Sequence, residues 1–356
     1  MKMSILYLSK AVSPRIRQML STNVIGAAGQ SPVYQQLSTD QKLSQLPRPH
    51  FAELVKGDRL LGVCCFCERE TRIDQTPLTS YYVRYFSFLD QLRVAKRLPN
   101  GRKKNSQLKQ EVHELLTGTA FAHASHTPNL FYAYVDPNNA RSALLCEEFG
   151  FETIGSFRTQ MIGRLFPRER CLPERVTPET QPLLRKLLST HYQNYNFYTE
   201  DNLFYQDNYF VLRDSDGKIL AGLQANPEQW KIHSLPSPLG KILLNVGSRI
   251  PVFNRLLNQQ FRFLAVDYIY SPDDNEQYLI QLIETLLARF GLYTAMFLVD
   301  DKSDLTKQIN NINKGLISKL QKAIPISIIV KPNQLTTNQL KHLKKHPTFL
   351  SSFDTT

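Results

Sequence analysis

The sequence predicts an α/β protein of the α+β kind, built as two similar domains, each a mixed, mostly antiparallel sheet flanked by helices. Three observations predict this. The chain has 356 residues, which is long for a single hydrophobic core. One run of elements (a hairpin, a third strand, a helix, a strand and a further helix) is readable twice along it. Between the two runs lies a stretch rich in proline and charge, with Pro167, Pro173 and Pro178 among Arg168, Glu169, Arg170, Glu174 and Arg175. Such composition marks a boundary. The expected division is residues 1–166 and 167–356, the second ending in a tail.

In the first half, two apolar runs flank a turn of Lys56, Gly57 and Asp58, a hairpin signal over residues 51–66. Residues 81–88 form a third, aromatic-rich strand. Leu108, Val112, Leu115 and Leu116 share one face of a helix over about 106–116. Residues 130–135 read as a short apolar strand. Pro137 then fixes φ, and Asn138 or Asn139 caps a helix that starts near Ala140. Ala143, Leu144, Leu145 and Phe149 give that helix an apolar face, and Arg141, Glu147 and Glu148 stay polar. Gly150 supplies a left-handed C-cap, and Phe151 folds back on the helix. Residues 154–165 close the half with one or two strands.

The second half repeats the order. Residues 209–224 form a hairpin around a polar turn at Gly217, and 261–270 an aromatic-rich strand. A helix over 274–290 keeps Tyr278, Leu279, Leu282, Ile283, Leu286 and Leu287 inside. A strand over 293–299 and a helix over 304–320 follow. Residues 191–205 are rich in tyrosine and phenylalanine at a spacing that fits neither helix nor strand. They either pack at the junction of the halves or line a substrate cleft, since tyrosine joins an apolar body to a polar tip.

The longest apolar run, residues 60–67, is too short to span a bilayer, and the N-terminal apolar patch is interrupted at once by basic and polar residues. Five cysteines give no disulfide framework. A soluble protein of the reducing cytoplasm, with no membrane partner, is expected. Cys65 and Cys67 share a strand face that Cys64 does not, no second ligand pair follows, and His123 and His126 complete no set, so no metal is expected. Nucleophile-elbow, Walker and dinucleotide fingerprints are missing. The net charge of +12 is concentrated. Arg84, Arg93, Lys96, Arg97, Arg102, Lys103, Lys104 and Lys109 face Asp90 alone. This local anion site fits a phosphorylated cofactor, a nucleic-acid backbone or a solvated surface.

The strand–Asn–helix–Gly-Phe unit over residues 134–151 resembles the C-terminal half of the GNAT acetyltransferase fold. The family pattern there is Asn, a small residue three on, Tyr seven on, then Gly-Phe. Asn139, Ser142, Gly150 and Phe151 match it, and Cys146 stands in the Tyr place. The likeness covers residues 50–165 by motif and the second half by order alone, because the second half has no Gly-Phe exit. It implies a tandem GNAT-like N-acyltransferase with a degenerate second half. Acetyl-CoA or another acyl-CoA would be the co-substrate, and an amine the acceptor.

In that family the pantetheine arm pairs with the central strand, here the one carrying Phe86, Ser87 and Phe88. The pyrophosphate rests on the next helix N-terminus, where unpaired N–H groups and the helix dipole attract an anion. Two spaced glycines usually precede that helix. This chain offers Gly101, Arg102, Lys103, Lys104, Asn105 and Ser106, with one glycine and three cations. Asn139 joins the implied cofactor set. Before the equivalent helix of the second half, Asp273, Asp274 and Glu276 would repel a pyrophosphate. The first half is therefore expected to hold the cofactor, and the second to shape or buttress the acceptor site.

Acyl transfer to an amine needs a base for the ammonium and an acid for the leaving thiolate. Cys146 occupies the family's acid position, where it is either a proton donor or a small buried hydrophobe. No carboxylate lies within residues 81–88, where a family base often sits. Tyr85 and Glu53 are the further catalytic candidates, with His113 and Tyr134 beside them. Two rivals remain. Paired GNAT-like domains also occur in enzymes that take an aminoacyl group from tRNA, a partner the positive charge fits equally well. A non-catalytic binding module would explain the missing glycine and Tyr as lost chemistry.

Overall fold

The computed structural model describes residues 5–26, 29–74, 76–88, 107–121, 128–236, 255–256, 258–272, 276–317 and 324–354. In chain order, β1 (Leu6–Ser9), α1 (Pro14–Ser21), β2 (Val33–Gln36) and α2 (Thr39–Leu43) lead into the strands β3 (Pro49–Lys56), β4 (Arg59–Ile73) and β5 (Thr76–Phe88). Then come α3 (Gln107–Leu115), β6 (Asn129–Val135), α4 (Ala140–Glu148) and β7 (Glu152–Gly163). The second half has β8 (Glu174–Arg175), α5 (Gln181–His191), β9 (Tyr209–Arg213), β10 (Ile219–Ser234) and β11 (Gln260–Tyr270). It continues with α6 (Glu276–Phe290), β12 (Thr294–Asp300), α7 (Asp304–Asn310), β13 (Ile326–Asn333), α8 (Thr337–Lys345) and a 3-10 turn (Ser352–Asp354).

One sheet runs in the order β1-β3-β4-β5-β6-β13-β7-β12-β11-β10-β9-β8, with β2 on β10. It is mixed and mostly antiparallel, with two parallel pairs, β5 with β6 and β11 with β12. The last strand of each half crosses into the other. β13 lies between β6 and β7, and β7 pairs with β12 from Gly163 opposite Thr294 to Phe157 opposite Asp300. Exchanged strands therefore join the halves in one hydrogen-bonded ladder.

Local chemistry explains the elements. The Asn139 side chain accepts from the Ser142 N–H at 3.2 Å and caps α4. At its other end Gly150 sits at φ +79, and the Phe151 N–H returns to the Cys146 carbonyl at 2.9 Å. That pair of features is a Schellman ending. Against the expectation of a helix to residue 320, α7 stops at Asn310. The Asn313 side chain there accepts the Gly315 N–H at 3.0 Å, and Gly315 turns at φ +76, tight against the Gly163 carbonyl of β7. The residues after α7 thus fold back on the sheet instead of continuing the helix.

Each face of the first half has its own core. Phe51, Val63, Cys65, Cys67, Tyr82 and Tyr132 face α1 and α8, whereas Cys64, Phe66, Tyr81 and Phe131 face α3. In the second half α6 buries Leu279, Leu282, Ile283, Leu286 and Leu287 on β9 to β12. Among the described residues no helix is long and apolar enough to cross a membrane.

Candidate active site: two splayed strand pairs

The parallel pair β5 and β6 stays in register only from Thr79 opposite Asn129 to Tyr82 opposite Tyr132. Beyond that point β5 follows β4, and β6 follows β13. A bulge drives the parting. Arg84 faces Cys65 and Ser87 faces Val63, which leaves one extra residue on β5, and Tyr85 takes φ +55. The bulge buries two successive side chains, Arg84 and Tyr85. The guanidinium lies 4.3 Å from the Tyr85 ring centre and donates to its hydroxyl at 3.0 Å.

The second half repeats the device. β11 and β12 pair only at Leu264 with Ala295 and Ala265 with Met296. A bulge follows, between Asp267 opposite Gln224 and Tyr270 opposite Gly222, with Tyr268 at φ +47.

The end of the described chain runs from the second opening to the first. The Ser352 N–H and hydroxyl both donate to Asp267, the hydroxyl at 2.7 Å. Two residues on, the Asp354 carboxylate receives Arg69 in a bidentate pair at 2.7 and 2.9 Å, and Arg84 at 3.4 Å. Tyr82 donates to the Asp354 carbonyl at 2.8 Å, and Arg69 donates to the Tyr132 hydroxyl at 2.7 Å. All of these side chains are buried. Burial pushes the Asp267 carboxyl up to about 6, partly offset by its bonds from Ser352.

The second opening holds a cavity of about 380 Å3. Asp300 on its wall accepts the backbone N–H of Lys302 at 2.8 Å and of Thr348 at 2.9 Å, and burial pushes its carboxyl up. Tyr195 and Ser303 share a hydroxyl–hydroxyl bond of 3.0 Å there. His191, from the end of α5, lines the same space, with its pKa lowered by burial. The aromatic segment is divided between two settings: Tyr192 and Tyr195 line the cavity, and Phe197 stacks on Tyr132 in the core at 4.2 Å.

The sequence-derived candidates separate onto two faces. Tyr85, Ser87 and Glu53 lie on the face that carries α1. Glu53 is buried and accepts from Arg15 Nε at 2.9 Å, and Ser87 donates to the Asn23 side chain at 3.0 Å. Phe86 is exposed, and only the backbone of Phe88 is described. Cys146 lies near Cys64 on the face that carries α3, half-buried, its thiol pushed up by burial. The Asn139 side chain is occupied by the α4 cap. His113 is exposed on α3, and Tyr134 packs against Phe157. Gly101, Arg102, Lys103, Lys104, Asn105 and Ser106 lie outside the described residues. Arg84, counted in the basic cluster, is buried on Asp354 and adds nothing to that surface.

Cys65 and Cys67 share a face with their sulfurs 3.8 Å apart. Among the described residues no cluster of three His, Cys, Asp or Glu could hold a metal ion. Sequence reasoning missed Arg69, Asp267, Asp300, Ser271, Thr348 and Asp354. For Asp267 a signal existed, a charge set between the apolar runs 263–266 and 268–270 of one strand, whereas Arg69 stands among Glu68, Glu70 and Arg72 and is not singled out.

No protein-family model matches the sequence, and no curated protein matches it. Solved structures do match the fold. The N-myristoyltransferase of Saccharomyces cerevisiae with bound myristoyl-CoA aligns over 92% of this chain and 83% of its own, with 9% identity and a TM-score of 0.58. A second structure of the yeast enzyme with myristoyl-CoA gives 92% and 79%, 8% identity and a TM-score of 0.56. A GCN5-related N-acetyltransferase from Anabaena variabilis covers 92% and 72%, with 10% identity and a TM-score of 0.49. The chain has the fold of N-myristoyltransferase, a GNAT-fold enzyme, as its Asn139-to-Phe151 unit implied.

Proposed function

We propose that the protein is an N-acyltransferase that takes an acyl group from acyl-CoA, acetyl-CoA or a longer thioester, and passes it to an amine. The observation that carries this reading is the first splay. Past Tyr82 the edge of β5 that faced β6 has no strand partner among the described residues. An extended arm with amide groups can take that place, as an added strand does at a sheet edge. The parting lies in a GNAT-like fold, and α3 follows the basic run of Arg102, Lys103 and Lys104 in sequence. Backbone N–H groups at a helix start, together with these cations, suit a pyrophosphate. In this reading residues 1–166 bind the thioester and residues 167–356 bring the acceptor.

The proton chemistry favours Tyr85 over Cys146. Tyr85 stands at the bulge, and burial pushes its hydroxyl up to about 12, with Arg84 working the other way. Arg84 donates to the phenol oxygen, which leaves the phenol proton to be given to a developing thiolate. Cys146, raised by burial near Cys64, has the setting of a packed thiol. Glu53 is engaged by Arg15.

The test is a triple variant, Arg102→Ala with Lys103→Ala and Lys104→Ala, titrated with acetyl-CoA by calorimetry in low salt. Affinity should fall tenfold or more, about 1.4 kcal/mol. Unchanged affinity would remove this run from the site.

A further inference from the structure

The cavity at the second splay has a definite chemistry. Three aspartates line it, Asp267, Asp300 and Asp304, with one lysine, Lys302. Ser352 holds the Asp267 carboxylate and Lys307 pairs with the exposed carboxylate of Asp304, so the acidic group of the interior is that of Asp300. The three donors of Lys302 are already directed at carbonyl oxygens, those of Ile154 and Lys344 at 2.9 Å and of His346 at 3.2 Å. Asp300 takes backbone N–H bonds on both oxygens, and each oxygen keeps a further lone pair. Two wall hydroxyls, Ser271 Oγ and Thr348 Oγ1, have no hydrogen-bond partner among the described residues, although the residues are only 6% and 2% exposed. A buried hydroxyl left unsatisfied is costly and calls for an explanation. The buried aromatic residues Tyr192 and Phe349 complete the wall. At about 380 Å3 the space suits a small molecule.

We propose that this cavity binds a small aliphatic amine in its ammonium form, with the cation at Asp300 and polar atoms at Ser271 and Thr348. As a binding site it stands on these groups alone; as the acceptor site it rests on the acyl-transfer reading. A carboxylate ligand would meet the Asp300 carboxylate as a like charge here. The chain as a whole carries +12, so it repels a free cation, and affinity for one reports a local site.

The experiment titrates the full chain, without CoA, by calorimetry. Putrescine is the probe, and glutarate, of similar length and opposite charge, is the control. Putrescine should bind with a Kd of about 1 mM or tighter, and glutarate should not. Asp300→Asn should weaken binding at least tenfold. Because Asn offers one carbonyl where Asp300 holds two N–H groups, that variant can unfold. Thr348→Val, which keeps the shape and removes only the hydroxyl, should weaken binding several-fold in a folded protein. Silent putrescine titrations, equal binding of glutarate, or full affinity in a folded Thr348→Val variant would overturn the proposal. Putrescine binding in a protein that ignores every acyl-CoA would keep the site and overturn the acyl-transfer reading instead.

Discussion

Replacing Asp354 with alanine should destabilise the fold by about 3–5 kcal/mol, the usual penalty for removing one partner of a buried ion pair. The Asp354 carboxylate is 3% exposed and sits between Arg69 and Arg84, at 2% and 0%. Its removal leaves two desolvated guanidiniums with Asp201, 3.5 Å from Arg69, as the remaining carboxylate partner of that cluster. It also loosens the 3-10 turn that spans the two openings. Urea denaturation should show a lower midpoint at an unchanged slope. Exchanging all three charges together, Asp354→Leu with Arg69→Met and Arg84→Met, should restore most of the loss, because neutral groups of similar size need no counter-charge. A loss below about 1 kcal/mol in the single variant would show that the buried pair does not hold this turn.

Asp267 should make stability depend on pH in the opposite sense to an exposed ion pair. Its carboxyl rises from an ordinary 3.8 to about 6, through burial first. Between these values the native state holds a proton that the unfolded chain has lost. The contribution is therefore fully present below about pH 4 and is lost as pH rises towards 6, on the order of 3 kcal/mol in all. Asp267→Asn keeps the shape and can still bond Ser352, but it cannot titrate. The difference in unfolding free energy, parent minus variant, should grow in the parent's favour as pH falls from about 6 to about 4. Comparing the two proteins cancels the other carboxylates that titrate in this range. Parallel stability curves would show that Asp267 is solvated in the native state.

Much of the architecture is legible because it is written locally. Asn139, Gly150 and Phe151 specify the ends of α4 through their own side chains and φ angles, and the observed cap and Schellman ending use those groups. The hairpin around Gly57, at φ +58, is equally local. The exchange of β7 and β13 is not. It depends on which distant edge an apolar strand finds, and Ile328, Ile329 and Val330 would suit several partners. The 3-10 turn is not legible for a similar reason, since Ser352 and Asp354 read as polar tail residues until Asp267, Arg69 and Arg84 are placed around them. Asp300 and Thr348 are 48 positions apart and meet only through the fold. Tyr85 is legible as part of the aromatic strand that the family resemblance singles out, whereas its bulge depends on the register with β4.

In the proposed reading the first splay takes the thioester and the cavity at the second takes the amine. The most direct test follows free thiol released from a series of acyl-CoAs, acetyl to myristoyl, by the full-length protein with and without putrescine. At least one thioester should give amine-dependent release well above the rate without protein, and the acylated amine should be detectable by mass. A series in which no thioester binds by calorimetry and none releases thiol above that background would contradict the assignment.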